Sequence, residues 1–200
     1  MEYSIGFRSF EERDVDFIYA CKNDERLNSM TVGRFRPFSH YDAEQWVAGV
    51  IRADRKDMKF WAICTNDNDR KIIGWESLSE IDPSNKSACH NGLVIGDPLY
   101  KDGAAMFEAM YFAMDYVFSD LRLHRLYGCC LAEHKTTPHL MKALGFSQEG
   151  LRTDAYYKND RSHNVVDYGI LDDEFFSNKE AGFYEMTNLL KGFIKSLKSK

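Results

Sequence analysis

The stretch VIGDPLYKDGAAMFEAMYFAMDYVF, from Val94 to Phe118, decides the fold. An apolar strand pattern ends at the tripeptide 96–98, and a short loop of small residues leads into a long helix pattern. Apolar residues of that helix recur at three-to-four spacing, namely Phe107, Met110, Met114, Val117 and Phe118. A strand, a small-residue loop and a helix N-terminus together favour the binding of an anion at the start of the helix. The helix start presents free N–H groups and the positive end of the helix dipole.

The composition is typical of one globular domain with a sizeable core. The chain has 200 residues, 44% of them hydrophobic, and a formal net charge of −5. A protein with this net charge has no overall positive potential that would attract nucleic acid, so we expect no nucleic-acid partner. The apolar runs are too short to span a bilayer, so we consider a membrane partner unlikely. The first residues lack a signal-peptide pattern, and we expect a cytoplasmic protein.

The five cysteines do not form a metal or disulfide pattern. Their number is odd and no CxxC pair occurs; they are Cys21, Cys64, Cys89, Cys129 and Cys130. We therefore expect no metal site, and we expect Cys129 and Cys130, which lie inside an apolar strand-like run, to pack in the core.

The residues before the central helix predict four strands and two helices. Alternating Tyr3, Ile5 and Phe7 indicate a first strand, and segment 14–24 a short helix. Ser39, with Asp42 three residues later, is the predicted N-cap of a second helix. Segments 59–65 and 70–81 are predicted as strands joined by a polar turn, and segment 87–96 as the next strand.

The residues after the central helix predict a strand, a short helix and a hairpin. Segment 125–132 is a strand too apolar for the surface, and Pro138 and Gly145 mark the first turn and the end of a short helix. Residues 151–159 and 164–171 follow as a hairpin. The alternation predicts an α/β domain over residues 1–172, with a mixed sheet crossed by the central helix.

Residues 173–200 stand apart as a predicted C-terminal helical extension. One face of this helix carries Met186, Leu190, Phe193, Ile194 and Leu197, and lysines lie elsewhere on it. We expect the apolar face to pack on the domain or against a second copy in a homodimer. A basic amphipathic helix on a membrane or on another protein is the alternative.

In its order of elements, the segment from Ile5 to Leu171 resembles the GNAT superfamily of N-acetyltransferases. The matching motifs are CKNDERLNSM with PFSHYDAEQWV, then GLVIGDPLYKDG, AMDYVFSDLRLHRLYGCCLAEH and LMKALGFSQEGLRTDAYYKNDRSHNVVDYGIL. The branch it resembles includes acetylases of ribosomal-protein N-termini, spermidine and amino sugars. The resemblance implies a mixed, strongly twisted sheet flanked by helices. It also implies two central strands that splay apart and hold the pantetheine arm of acetyl-CoA.

The resemblance further implies that the loop binds the phosphates of acetyl-CoA. The family pattern is Arg or Gln, two residues, Gly, one residue, then Gly or Ala, and here Lys101, Ala104 and Met106 occupy it. A one-residue shift offers Gly103 and Ala105 instead. The candidate loop residues are Lys101, Asp102, Gly103, Ala104, Ala105 and Met106.

For the chemistry, the resemblance implies direct attack of an amine on the acetyl thioester. His90 stands where a catalytic Glu is common, and a histidine suits general-base work. Glu76 and Glu80, at even spacing on the neighbouring strand, are alternatives on one face. A backbone N–H near Val94 or Ile95 would hold the oxyanion.

Two further positions depart from the family pattern. His134 replaces a common Asn, and Met141 replaces the Tyr that usually protonates the leaving thiolate. The first function hypothesis is an N-acetyltransferase acting on a small amine or a peptide amine. The second is a GNAT-fold binding or assembly module without turnover, which Met106, His134 and Met141 favour.

Overall fold

The computed structural model describes residues 3–29, 31, 36–52, 57–101 and 103–198. A seven-stranded mixed sheet has the order β1-β2-β3-β4-β5-β7-β6, and its neighbours are antiparallel except for β4 and β5. The strands are β1 (Ile5–Arg8), β2 (Lys59–Thr65), β3 (Ile72–Asp82), β4 (Ser87–Ile95), β5 (Arg125–Leu131), β6 (Ser147–Lys158) and β7 (Arg161–Leu171). This sheet confirms the predicted α/β fold class.

Helices cover both faces of this sheet. Those of the described residues are α1 (Val15–Asn23), α2 (Glu25–Asn28), α3 (His40–Arg52), α4 (Ala104–Asp115), α5 (Thr137–Ala143), α6 (Asp172–Glu180) and α7 (Met186–Lys198). Leu93 and Val94 are adjacent in β4 and therefore point to opposite faces. Val94 packs in the cluster of α1 and α3, and Leu93 packs in the cluster of α4.

The central helix α4 crosses the sheet as predicted. Phe107, Met110 and Met114 are fully buried in the largest core cluster. The buried carboxylate of Glu108 accepts hydrogen bonds from the backbone N–H groups of Ser4 (2.8 Å) and Ile5 (3.1 Å) and from the Ser4 hydroxyl (2.8 Å). These bonds fasten α4 to the first residues of β1.

The parallel pairing of β4 with β5 is short. It joins Ser87 to Arg125, Ala88 to Leu126 and Cys89 to Tyr127, and it ends there. The strands nevertheless continue to Ile95 and Leu131, so a gap opens between them towards their C-terminal ends. The predicted splay of two central strands is confirmed.

The predicted extension contains two helices rather than one. α6 follows β7 directly, and Phe175, Tyr184 and Leu189 belong to the same core cluster as α4. The apolar face of α7 is narrower than predicted, because Ile194 and Leu197 are 50% and 42% exposed. That residues 1–172 form a domain and residues 173–200 a separate extension stays a prediction.

The helices of the described segments are also relevant to the membrane prediction. None of them combines the length and the apolar character needed to cross a bilayer.

Phe175 offers a test of how much α6 contributes to stability. Its ring is fully buried against Tyr111, Phe118 and Tyr184. We expect Phe175→Ala to lower the free energy of unfolding by about 3–5 kcal/mol, the usual effect of emptying a buried aromatic site. Chemical denaturation measures it, with Phe176→Ala as control because Phe176 is partly exposed. Equal losses in the two variants would show that α6 is not part of the core.

Candidate active site

The closed end of the gap lies at His90 and Gly128. A Cβ atom on Gly128 would lie 3.2 Å from the His90 carbonyl oxygen and 3.6 Å from the His90 Cβ. Glycine allows this close approach of two backbones. His90 therefore stands where the two strands begin to separate.

Beyond His90, one edge of β4 faces the gap. Val94 and Ile95 pair in register with Trp75 and Gly74 of β3, while no described strand pairs with their other edge. Successive residues of a strand direct their N–H groups to opposite edges. One of the two candidate N–H groups, that of Val94 or that of Ile95, therefore points into the gap.

The loop after β4 delivers the start of α4 beside the open end of this gap. Asp97 accepts a hydrogen bond from the N–H of Leu99 within the 3₁₀ turn Pro98–Tyr100. Gly103 has φ = 96°, a conformation that suits glycine, and is the N-cap of α4. The first N–H groups of an α-helix lack acceptors within that helix. A Cβ on Gly103 would meet no described atom beyond its chain neighbours within 4 Å, so the space at this Cβ position is open.

The two side chains that depart most from the phosphate-loop pattern do not block this loop. Met106 packs between the core clusters under α4 and does not fill the space at Gly103. Lys101 is exposed, and its charge opposes the burial that raises the pKa of the Cys21 thiol to about 11. Asp102, another predicted loop residue, lies outside the described residues.

Glu76 and His90 form a buried pair beneath α4. The Nε2 atom of His90 lies 3.1 Å from Oε1 of Glu76, and their side chains are 7% and 0% exposed. Burial raises the pKa of Glu76, and the hydrogen bond from His90 opposes this shift. Oε2 of Glu76 has no hydrogen-bond partner among the described residues. Buried polar atoms are normally satisfied, so an orphan oxygen here points to a site rather than to packing.

Glu80 does not share the environment of Glu76, although their spacing predicts one common face. The ladder between β3 and β4 shifts register between Ser79 and Asp82, and Glu80 adopts φ = 50°. Its carboxylate accepts a hydrogen bond of 2.6 Å from the Tyr127 hydroxyl. A second register shift leaves Asn91 of β4 unpaired and brings His90 opposite Leu78.

His134 caps the helix that follows β5. Its Nδ1 atom accepts hydrogen bonds from the N–H groups of Thr136 (3.2 Å) and Thr137 (3.0 Å) at the start of α5. Burial lowers the pKa of His134, which suits an acceptor nitrogen. Met141 is buried in the core cluster, and its thioether has no proton to donate.

The comparison with protein families now gives the class. Residues 4–147 match the model described as "Acetyltransferase (GNAT) domain", and the chain belongs to this family. The predicted enzyme class, an N-acetyltransferase, is confirmed. Acetyltransferases of this family use acetyl-CoA as the acetyl donor.

Individual relatives support the same branch. The chain is 24% identical to the spermidine N(1)-acetyltransferase of Vibrio cholerae serotype O1, over 90% of this chain and 100% of the relative. The corresponding Escherichia coli K12 enzyme is 25% identical over 82% of this chain and 84% of its own. The [ribosomal protein uS5]-alanine N-acetyltransferase of the same strain is 29% identical over 60% and 62%.

Solved structures share the fold. The spermidine N-acetyltransferase of Vibrio cholerae, in complex with CoA and spermine, superposes with a TM-score of 0.74 at 24% identity. The match covers 86% of this chain and 98% of that one. A GCN5-related N-acetyltransferase from Brucella melitensis gives 0.77 at 20% identity, over 97% and 93%.

The capping role of His134 predicts a pH dependence of stability. The folded protein disfavours protonation of His134, so below its unfolded pKa of about 6.5 the unfolded state binds more protons. We expect the free energy of unfolding to fall as the pH is lowered through that value. Asn caps a helix at any pH, and His134→Asn should remove this part of the loss.

The measurement is denaturation of wild type and His134→Asn between pH 7.5 and 5, where about 6.5 is the reference pKa of histidine. Parallel stability curves for the two proteins would contradict the capping role.

Proposed function

We propose that this acetyltransferase acetylates a primary amine of a small polycation, of the polyamine type, with acetyl-CoA as donor. The observation that carries the proposal is the gap between β4 and β5, which opens beside the N-terminus of α4. The match to spermidine N(1)-acetyltransferases, over 100% and 84% of their own length, supports a polyamine-type substrate. The ribosomal-protein relative, which matches over less of its length, supports a peptide N-terminus as the second substrate class.

The phosphates of acetyl-CoA would lie against the backbone at the start of α4. The N–H groups of Gly103, Ala105 and Met106 would supply donors, Ala104 lies between them in the same turn, and the helix dipole favours the negative charge. We include Asp102 because it lies within the same loop sequence. Lys101 adds a positive charge, without the bidentate geometry that an arginine would give.

The pantetheine arm would run along the open edge of β4. There it would form hydrogen bonds with the backbone groups of that edge, including the N–H of Val94 or Ile95. That N–H would stabilise the negative oxygen that forms on the thioester carbonyl during attack. The side chain of Met141 and the ring of His134 would line the α5 side of the site. Met141 packs in the core and His134 caps α5, so we assign neither residue a proton transfer.

His90 would be the general base of the transfer. The amine nitrogen attacks the thioester carbonyl carbon, and its proton passes to the imidazole as the C–N bond forms. Glu76, bonded to Nε2 of His90, orients the ring, so that Nδ1 is the accepting atom. The C–S bond then breaks. A thiol of pKa about 8.5 is an adequate leaving group at neutral pH without an acid at Met141.

The absence of a donor at Met141 also favours the alternative hypothesis. A chain that binds acetyl-CoA but does not turn over would keep the α4 start and lose the acid. Release of free CoA thiol with a panel of polyamines and peptides distinguishes the two functions. No turnover with any amine, while acetyl-CoA still binds, would favour the binding module.

We also propose a cytoplasmic location and no structural metal. All five cysteines are free, as is usual in a reducing compartment.

The Lys101→Ala variant tests the phosphate site. We expect acetyl-CoA binding to weaken by about 1 kcal/mol, and by more at low salt, because the lost contact is electrostatic. Calorimetric titration measures this loss, and Lys71→Ala is the control because Lys71 is an exposed lysine in the β2–β3 turn. Equal affinities of wild type and Lys101→Ala at low salt would exclude a phosphate beside Lys101.

The His90→Ala variant tests the base. We expect a loss of roughly 100-fold in the chemical step with acetyl-CoA affinity unchanged, the usual contribution of a positioned base. Glu76→Gln should lower the rate less.

Single-turnover acetylation across pH measures both effects. His124→Ala serves as the control, because His124 is exposed and bonded to Asp172. If His90→Ala and His124→Ala react at the wild-type rate, His90 is not the base.

A further inference from the structure

The C-terminal end of α7 lies at the same end of the protein as the start of α4. The ring of Phe193 in α7 contacts Phe107 in α4, with ring centroids 5.7 Å apart. One turn further along α4, Tyr111 contacts Tyr184, which precedes α7. The two helices therefore run in opposite directions. At a rise of about 1.5 Å per residue, Gly103 at the start of α4 lies about 6 Å beyond the level of Phe107, which the last turn of α7 also reaches.

The start of α5 lies at this end as well. A Cβ atom on Gly192 of α7 would lie 3.8 Å from the Cβ of Ala143, the last residue of α5. One turn further along α7, the hydroxyl oxygen of Ser196 lies 2.8 Å from Nδ1 of His139, in the first turn of α5. α7 is therefore antiparallel to α5 too, and its last turn ends beside the first turns of α4 and α5.

The last turn of α7 carries lysines that no carboxylate of the described residues neutralises. Lys195 and Lys198 are exposed, and α7 contains no acidic residue. Lys101, shortly before α4, and Lys135, shortly before α5, are exposed too. Lys179, on α6, is the one lysine that forms an ion pair within the described part of the chain. Four positive charges therefore lie at one end of a chain whose formal net charge is −5.

The carboxylates in the adjoining loops have other partners. Glu133, after β5, bonds His163 and Arg161. Asp97, after β4, accepts a hydrogen bond of 3.0 Å from the N–H of Leu99. Neither carboxylate forms an ion pair with a described lysine, so the lysines at this end remain available to an anionic ligand.

The chemistry of CoA fits this cluster of charges. CoA carries a pyrophosphate and, on the same nucleotide, a 3′-phosphate monoester with a charge of about −2 at neutral pH. With the pyrophosphate at the start of α4, the 3′-phosphate lies close by, because one ribose joins them. A lysine is a point charge on a flexible stem and can follow a phosphate at an exposed position. The matched acetyltransferase model ends at residue 147, so α7 lies outside the family domain.

We propose that the last turn of α7 is the binding site for the 3′-phosphate of acetyl-CoA, with Lys195 and Lys198 as its cationic groups. This inference rests on the proposed function, because the pyrophosphate must lie at the start of α4 for the ribose to come beside α7. Phe193 and Ser196 hold α7 against α4 and α5, so the lysines are presented from a fixed backbone. The C-terminal helix thereby favours CoA over thioesters that lack the 3′-phosphate.

Calorimetric titration of the full chain with CoA and with 3′-dephospho-CoA tests the proposal, because the two ligands differ only in this phosphate. In the double variant Lys195→Gln, Lys198→Gln we expect the affinity for CoA to fall by about 10-fold at low salt, and that for dephospho-CoA by about 2-fold or less. The melting temperature should change little, because both side chains are exposed. Lys191→Gln is the matched control, since Lys191 is exposed on the same helix about 6 Å before Lys195.

Three results would overturn the proposal. One is an unchanged affinity for CoA in the double variant. Another is an equal loss for CoA and dephospho-CoA, or a loss that Lys191→Gln reproduces, which would show a general effect of charge. The third is a loss of affinity that accompanies a lower melting temperature, which would show that the lysines stabilise the C-terminal end of the helix dipole instead.

Adenosine 3′,5′-bisphosphate separates this proposal from the proposed function. This nucleotide carries the 3′-phosphate but has no pantetheine arm to lie along β4. We expect wild type to bind it and the double variant to bind it more weakly, whether or not any amine is acetylated. If wild type and the double variant bind CoA equally well, the α7 site alone fails. If wild type binds neither the bisphosphate nor CoA, the α7 site and the proposed cofactor site both fail.

Discussion

The parallel contact between β4 and β5 is the constraint on which the rest of the structure depends. It lasts three residue pairs and stops at His90 and Gly128, where the backbones still touch. A backbone edge in a sheet is normally hydrogen-bonded, and an edge left open inside a sheet needs another partner. β4 has such an edge from His90 to Ile95. A ligand with amide groups, such as a pantetheine arm, supplies the missing hydrogen bonds without any specific side chain.

The groups around the gap suit a ligand that lies along this open edge. At the open end, α4 offers N–H donors beside Lys101, so an anionic end of a ligand is favoured there. At the closed end, the imidazole ring of His90 is paired with Glu76 and is almost fully buried. On the face opposite α4, the ammonium group of Lys158 donates hydrogen bonds to the carbonyl oxygens of Asn28 and Thr31 and so joins the halves of the sheet that the gap separates. In the proposed function, backbone geometry would therefore hold the cofactor, whereas side chains would carry the proton transfer.

Much of this fold was predictable because its signals are local and periodic. The apolar spacing in α4 and the Ser39–Asp42 cap, which the structure confirms with reciprocal hydrogen bonds of 2.9 and 3.1 Å, are examples. α6 was not found, because Phe175 is its one buried residue and gives no period. The partner of His90 could not be fixed either, because the unpaired Asn91 shifts the register in a way that spacing does not reveal. The sequence did not predict the capping role of His134 or the burial of Lys158, since histidine is an unusual cap and lysine is usually solvated.

The central claim is that acetyl-CoA occupies the gap and the start of α4. Hydrogen exchange of the full chain with and without CoA tests this claim most directly, because the open edge of β4 gains acceptors only if a ligand lies along it. We expect slower exchange in peptides that cover 91–95 and 103–107, with β1 and β2 unchanged. Protection confined to other segments, or none at saturating CoA, would contradict it.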